Sequence, residues 1–188
     1  MKKIVLVLLL GVIIATGVFA DHPSGWGIGV VGGGGWGYNR YGVGGLMLSI
    51  KAPNVPIFWG ISVDFGTDYF GMGFTGDYYL IDSNITDFGG PNLGWYLGVG
   101  GFFGFGNYDG SYASWTSMSF GGRLPIGLSL QFPFPTITIE LLVALVPNLG
   151  LGFWFWDPKY DDYWRSKDRE HMGLISGIGG EFGIRFWF

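Results

Sequence analysis

The sequence predicts an all-β protein, an eight-stranded antiparallel transmembrane β-barrel that forms after removal of a signal peptide. Three observations predict this class. Charged residues make up 13% of the chain, about half of the roughly 25% that is usual in soluble domains. Aromatic residues reach 19%, and Gly accounts for 37 of the 188 residues. Apolar side chains also recur at every second position through most of residues 21–188, which is the pattern of strands with one apolar face.

Residues 1–20 are predicted to be a secretory signal peptide. Lys2-Lys3 supplies its positive start, an apolar stretch follows from Ile4 to Ile14, and small residues precede a cleavage site after Ala20. The alternative is an uncleaved anchor, although about 17 apolar residues is the lower limit for a membrane span. We therefore expect the barrel to comprise residues 21–188 and to be secreted through the inner membrane.

The strands follow one another with short interruptions. Alternation is clearest over residues 57–65 and 70–81, and Thr67-Asp68-Tyr69 between these runs is typical of a tight hairpin. The same pattern recurs around residues 26–30, 46–50, 93–105, 118–130, 137–145 and 174–188. These eight runs are the predicted strands.

No segment of residues 21–188 has the sequence of a transmembrane helix. The best candidate, Ile137 to Trp156, contains Glu140 and Pro147, whereas a helical span needs about 20 unbroken apolar residues. Strands can cross lipid only as a closed barrel, because every backbone polar group must be paired. A secreted β-sandwich is the alternative, and the deficit of charged residues disfavours it.

The connections predict the orientation in the membrane. The Pro-rich segments Lys51–Pro56 and Gln131–Thr136 are typical of short turns, and together with the connection Asp82–Asn92 they would face the periplasm. The connection Asp157–Glu170 holds five acidic and four basic residues and would lie outside the cell. Aromatic side chains near the strand ends, Trp187 among them, would lie at the membrane–water interface.

Side chains at the positions that alternate with the large apolar ones would face the lumen, and seven of them are charged. They are Lys51, Asp64, Asp77, Arg123, Glu140, Glu181 and Arg185. An isolated charge is costly at low dielectric, so we expect these charges to pair, Glu140 with Arg185 and Arg123 with Glu181. An eight-stranded barrel is just wide enough for side chains to fill it, which favours a structural plug over a gated polar pathway.

Away from the periplasm the predicted lumen is rich in Gly and uncharged apart from Asp64. Five residues mark a candidate apolar recess there, namely Met47, Phe102, Pro147, Trp154 and Ile175. Pro147-Asn148 should also interrupt the seventh strand, because Pro cannot donate a ladder hydrogen bond. Two interpretations stay open: the recess is real, or neighbouring aromatic side chains cover the glycines.

Composition and motifs exclude several functional classes. Without Cys the chain has no disulfide, thiolate metal site or thiol nucleophile. A net charge of −4 with no basic stripe argues against nucleic-acid binding. His22, beside the cleavage site, and His171, near the last connection, lack a Ser and a carboxylate at triad spacing. We therefore predict no enzyme activity, no metal and no cofactor.

The end of the chain resembles the C-terminal insertion signal of outer-membrane barrels, since Phe182, Ile184, Phe186 and Phe188 occupy alternate positions. The whole of residues 21–188 resembles the small eight-stranded class that includes OmpX, the OmpA membrane domain and OmpW. The block Phe70–Asp82 followed by Leu93–Gly98 is similar to uncharacterised spirochaetal members. The resemblance implies contact with outer-membrane lipid, insertion by the barrel-assembly machinery and no catalytic residues. For an OmpW-like barrel it also implies that an apolar recess admits hydrophobic molecules sideways into the membrane.

Three functional hypotheses remain. We predict a monomeric, non-enzymatic barrel of the bacterial outer membrane that supports the envelope or contacts an extracellular partner through Asp157–Glu170. The alternative is an OmpW-like conduit for small hydrophobic molecules. A lipid-modifying barrel enzyme would need His171, and nothing else in the sequence favours it.

Overall fold

The computed structural model describes residues 22–36, 45–111, 113–158 and 170–188. The described residues form nine β-strands: β1 (Gly27–Trp36), β2 (Gly45–Lys51), β3 (Ile57–Phe65), β4 (Tyr69–Asp87), β5 (Asn92–Asp109), β6 (Ala113–Arg123), β7 (Ile126–Pro133), β8 (Thr138–Pro158) and β9 (Glu170–Trp187). None of these residues belongs to a helix that is long and apolar enough to cross a membrane. The predicted signal peptide and residues 159–169 of the last connection lie outside the described residues.

The strands form one antiparallel sheet that closes on itself. Each strand from β1 to β5 pairs with the next along the chain, and β8 pairs with β9. Strands β6 and β7 both lie between β5 and β8, so together they occupy one position in the ring. Pairing of β1 with β9 completes the circle. The ring therefore has eight positions, which confirms the predicted eight-stranded antiparallel barrel.

The gap between β6 and β7 lies beside two prolines, Pro125 and Pro147. Pro has no N–H and so leaves one ladder hydrogen bond unmade wherever it stands in a sheet. Gly98 N still donates to the carbonyl of Pro125 (2.7 Å), and Leu124 N still donates to the carbonyl of Pro147 (2.9 Å). The register with β8 is the same on both sides of this point, so β6 and β7 are one strand with a local gap in its hydrogen bonds.

The expected interruption of the seventh strand at Pro147-Asn148 is wrong. Strand β8 runs without a break through both residues, and Pro147 pairs with Ile178 of β9. In an antiparallel ladder the N–H and C=O of one residue point to the same neighbour. The missing donor of Pro147 therefore faces Leu124, and its absence affects the ladder with β6/β7 and leaves the ladder with β9 intact.

Side chains alternate between the inside and the outside of the barrel. Along β9, Leu174 (72% exposed) and Phe182 (68%) point outward, whereas Arg185 and Trp187 point inward and are buried. Strand β2 shows the same division, with Leu46 outward at 68%. The large apolar side chains therefore cover the outer surface of the barrel, and small, polar and charged side chains share the lumen with several aromatic rings.

Both described ends of the chain lie at one end of the barrel, called here the terminal end. Trp26 and Phe188 exchange backbone hydrogen bonds of 3.2 and 2.9 Å. The connections 52–56, 88–91 and 134–137 lie at this end. At the opposite end, the predicted hairpin between the runs 57–65 and 70–81 is confirmed, because Gly66 N donates to Tyr69 O (2.7 Å) and closes the turn between β3 and β4.

The connection predicted over Asp82–Asn92 is wrong in extent. Strand β4 continues to Asp87 and β5 begins at Asn92, so only residues 88–91 connect them. The register of this pair shifts between Tyr79 and Ile81, which marks a β-bulge. The bulge changes the parity of the strand and turns Asp82 into the lumen, where it is buried.

Candidate functional site in the lumen

Glu140 on β8 is the centre of a buried polar cluster near the terminal end. It is fully buried, at 0% exposure. Arg185 Nη1 donates to Glu140 Oε2 (3.1 Å), and Trp187 Nε1 donates to the same oxygen (2.8 Å). Ser129 Oγ donates to Oε1 (2.9 Å). Glu140 and Arg185 are direct cross-strand neighbours, and the structure thus brings this predicted pair into contact.

His22 completes the cluster from outside the strands. Its Nε2 lies 2.7 Å from Glu140 Oε1, and its Nδ1 lies 2.7 Å from Asp82 Oδ1. The backbone N–H of His22 also donates to Asp82 Oδ2 (3.2 Å). Ionised carboxylates only accept hydrogen bonds, so both ring nitrogens must donate and His22 is an imidazolium here. The cluster therefore holds two positive side chains, His22 and Arg185, and two negative ones, Asp82 and Glu140, which neutralise one another.

The sequence did not predict that His22 or its partner Asp82 would lie in the lumen. His22 lies before the first strand, where alternation gives no information about side-chain direction. Asp82 reaches the lumen because of the bulge after Tyr79. The available signal was local: Leu80 and Ile81 are consecutive apolar residues that break the period of two, and bulges often re-aim side chains beside functional sites.

Four aromatic rings surround the imidazole of His22. Phe58, Tyr79 and Tyr96 form a stack, with centroid distances of 4.0 and 4.4 Å between neighbours. The imidazole is steeply inclined to all three rings, at centroid distances of 5.4, 5.4 and 5.9 Å, and Trp187 lies 5.7 Å away. The expected position of Trp187 at the membrane–water interface is wrong. Its parity places it inside the barrel, at 2% exposure, and Glu140 accepts its indole N–H.

A second charged cluster lies deeper in the lumen. Arg123 Nη2 donates to both carboxylate oxygens of Glu181 (2.8 Å each), and Arg123 Nε lies 3.0 Å from Asp77 Oδ1. These residues come from three strands that are not neighbours in the ring, β6, β9 and β4. The structure thus brings Arg123 and Glu181 together as expected and adds Asp77 to the pair.

Two of the seven predicted lumen charges stand apart from both clusters. Lys51 Nζ donates to the carbonyl of Ala52 (2.9 Å) and lies 5.8 Å from the centroid of Phe58. Asp64 is partly exposed and faces Gly45 towards the opposite end. The expectation that these charges also pair is therefore not met in the contacts of the described residues.

The region of the candidate apolar recess is occupied by side chains. Phe102 lies over Gly121 and Gly150, where an added Cβ would meet its ring at 2.8 Å, and Trp154 and Ile175 cover Gly152. Met47 is buried, whereas Pro147 occupies one of the outward-facing positions of β8. Two cavities of about 20 Å³ each lie in the lumen, one beside Phe102 and one beside Tyr79. Each has room for about one water.

The other predicted residues lie on β9 or, for Phe188, directly after it. Phe182 and Phe188 are exposed, and Ile184 and Phe186 share the outward parity of Phe182. His171 is exposed at the start of the strand. In the described ranges, no group of three or more His, Cys, Asp or Glu side chains is arranged to hold a metal ion.

We expect Glu140→Gln to destabilise the barrel by about 3–5 kcal/mol, because it leaves two buried cations, Arg185 and His22, with Asp82 as the one carboxylate of the cluster. Denaturant unfolding of the protein in detergent measures this difference. Asp68→Asn is the matched control, since Asp68 is exposed in the β3–β4 turn and surface changes cost less than about 0.5 kcal/mol. Equal effects of the two variants would show that Glu140 does not hold the cluster.

A second stability test concerns the close approach of an aromatic ring to a glycine. An added Cβ at Gly127 would meet the Tyr96 side chain and lie 2.6 Å from the Val143 carbonyl, which cannot move cheaply. We expect Gly127→Ala to cost about 1–3 kcal/mol in the same unfolding measurement. Gly122→Ala is the control, because its nearest atom lies 3.9 Å away. A loss no larger than that of the control would contradict the packing described here.

No protein-family model and no curated protein matches the sequence. Among solved structures, the chain is similar to the crystal structure of a major outer membrane protein from Thermus thermophilus, with 15% sequence identity and a TM-score of 0.46. The similarity covers 86% of this chain and 100% of that chain. At this level of similarity, the barrel architecture rests on the strand pairings of this chain itself.

Proposed function

We propose that the protein is a non-enzymatic β-barrel of the bacterial outer membrane with a closed lumen, which supports the envelope or contacts a partner through its outer loops. The observation that carries the proposal is the exposed apolar surface. Every strand contributes to it: Val30, Leu46, Val63, Phe74, Val99, Phe120, Leu128, Leu145 and Phe182 are examples from β1 to β9, all between 41% and 68% exposed.

The direction of the charged side chains supports the same proposal. Among strand residues whose exposure is described, the charged side chains of Asp, Glu, Lys and Arg point into the lumen, apart from Asp109 at the end of β5. A water-soluble protein rarely exposes apolar patches larger than a few hundred Å². In lipid the same surface is favourable, and a closed ring of strands satisfies the backbone hydrogen bonds that lipid cannot.

The contents of the lumen favour a structural barrel over an OmpW-like conduit. Charged clusters around Glu140 and Arg123 cross the lumen at two levels, and the cavities beside Phe102 and Tyr79 each have room for about one water. Phe102 and Trp154 occupy the space that a hydrophobic solute would need. Absence of catalysis is part of the proposal, since His22 is held by two carboxylates and His171 is exposed on β9.

The proposed topology places the terminal end in the periplasm and the opposite end outside the cell. Its support is the usual pattern of such barrels, with short periplasmic turns and longer outer loops. The connections at the terminal end are short, and the connection predicted over Asp157–Glu170, which the strand bounds reduce to residues 159–169, belongs to the opposite end. We extend the proposal to cleavage after Ala20, to insertion by the barrel-assembly machinery through Phe188 and its alternate neighbours, and to a monomeric barrel.

Conductance distinguishes a closed barrel from a conduit. We expect the purified protein to give no stepwise current in planar lipid bilayers and no uptake of small hydrophobic molecules in liposomes, because the lumen is filled. Current or uptake that Gly100→Phe or Gly150→Leu abolishes would instead establish the conduit. Circular dichroism of the same samples verifies that each variant has folded.

Trypsin digestion of intact cells tests the topology. Arg40, Lys159, Arg165, Lys167 and Arg169 all belong to connections at the end proposed to face outward. We expect trypsin to cut at these positions in intact cells, and to spare Lys51 because it is buried at the terminal end. Replacement of residues 159–169 by a Gly-Ser segment of equal length should remove the cuts there without loss of the folded barrel. Cutting that requires cell lysis would contradict the proposed orientation.

A further inference from the structure

The surroundings of His22 have the features of a binding site for a cation. Carboxylates from two strands that are not neighbours, Asp82 on β4 and Glu140 on β8, each lie 2.7 Å from one ring nitrogen. The distances and the placement of the two acceptors select a planar ring with N–H donors on both sides. Both carboxylates are buried, so an uncompensated negative charge at either would be costly.

Aromatic rings form one wall of this site. The imidazole lies beside the stack of Phe58, Tyr79 and Tyr96, at interplanar angles of 71°, 61° and 73°. Phe58 and Tyr96 cover the two faces of Tyr79 at 4.0 and 4.4 Å, so the stack limits the space beside it and excludes water from the two carboxylates. The rings therefore bound the site sterically, and the carboxylates of Asp82 and Glu140 supply the hydrogen-bond acceptors.

His22 reaches this site from a segment that belongs to no strand. Residues 22–26 precede β1, and the ordered ladder at the terminal end begins with the hydrogen bonds between Trp26 and Phe188. Withdrawal of His22 would break its contacts with Asp82 and Glu140 and would leave all strand pairings in place. The histidine is thus a tethered occupant of a site that the strands themselves build.

We propose that the terminal end of the lumen is a binding site for a planar organic cation of the imidazolium or amidinium class, with His22 as its built-in ligand. A free cation of this class occupies the site when the N-terminal segment is withdrawn. The proposal depends on the contacts of the lumen and not on the membrane location, so failure of one leaves the other standing.

Removal of the histidine side chain tests the proposal by chemical rescue. In the purified protein with His22→Gly, we expect imidazole at about pH 6, where it is protonated, to bind and to raise the melting temperature. In the wild type the resident His22 competes, and apparent affinity falls with the fraction of vacant sites. We therefore expect imidazole to bind at least about tenfold more tightly to the variant than to the wild type, as measured by titration calorimetry.

Three controls make the test specific. Pyrazole has the shape of imidazole but stays neutral, and it should not bind. His171→Gly removes an exposed histidine and should create no imidazole site. Adding Asp82→Asn to His22→Gly should weaken imidazole binding, whereas adding Asp64→Asn, a carboxylate near the other end of the lumen, should not.

Several results would overturn the proposal. They are equal binding to the wild type and the variant, equal binding of pyrazole and imidazole, or an Asp82→Asn effect no larger than that of Asp64→Asn. If His22→Gly does not fold without a ligand, refolding it in the presence of imidazole or of pyrazole provides the same test. Recovery of the folded barrel with imidazole but not with pyrazole supports the cation site, and failure of both refutes it.

Discussion

Glu140 carries its charge at a position from which water is excluded, and the arrangement of the terminal end follows from that constraint. A buried carboxylate is tolerated only when counter-charges and hydrogen-bond donors surround it. Arg185, Trp187, Ser129 and His22 supply them. His22 in turn contacts Asp82 on β4. The buried charge on β8 is thus linked to the conformation of the N-terminal segment and to the bulge, three strands away, that turns Asp82 inward.

The second feature of the lumen is the fit between glycines and large rings. A barrel of eight strands has little interior space, and the aromatic side chains enter it only because the facing positions have no Cβ. Tyr96 lies against Gly127, Trp187 against Gly27, and Phe102 against Gly121 and Gly150. Glycine at these positions therefore indicates close packing of a neighbouring ring.

Much of this architecture could be predicted from the sequence, because alternation in a strand depends only on backbone geometry. The eight ring positions and the inward direction of Glu140 and Arg185 follow from it. Alternation fails where the backbone leaves the regular ladder. The bulge after Tyr79 reverses the alternation and turns Asp82 inward, and only the consecutive apolar residues Leu80 and Ile81 signal it in the sequence. His22 precedes the first strand, so alternation gives no direction for its side chain.

Other differences have equally local causes. Trp187 was assigned to the interface from its residue type, although its parity and the acceptor on Glu140 bring it inside. The missing donor of Pro147 affects one edge of its strand and leaves the other paired. Glycine-rich positions suggested empty space because a sequence does not show which neighbouring side chain will fill it.

The pairing of β1 with β9 joins the first strand of the sheet to the last. Until β9 is present, the sheet has two bare edges whose amides and carbonyls attract any other extended chain. A chain truncated before β9 thus forms an open sheet with two unpaired edges and cannot close into a barrel. The described strands are therefore protected from edge-to-edge pairing only once β1 has paired with β9.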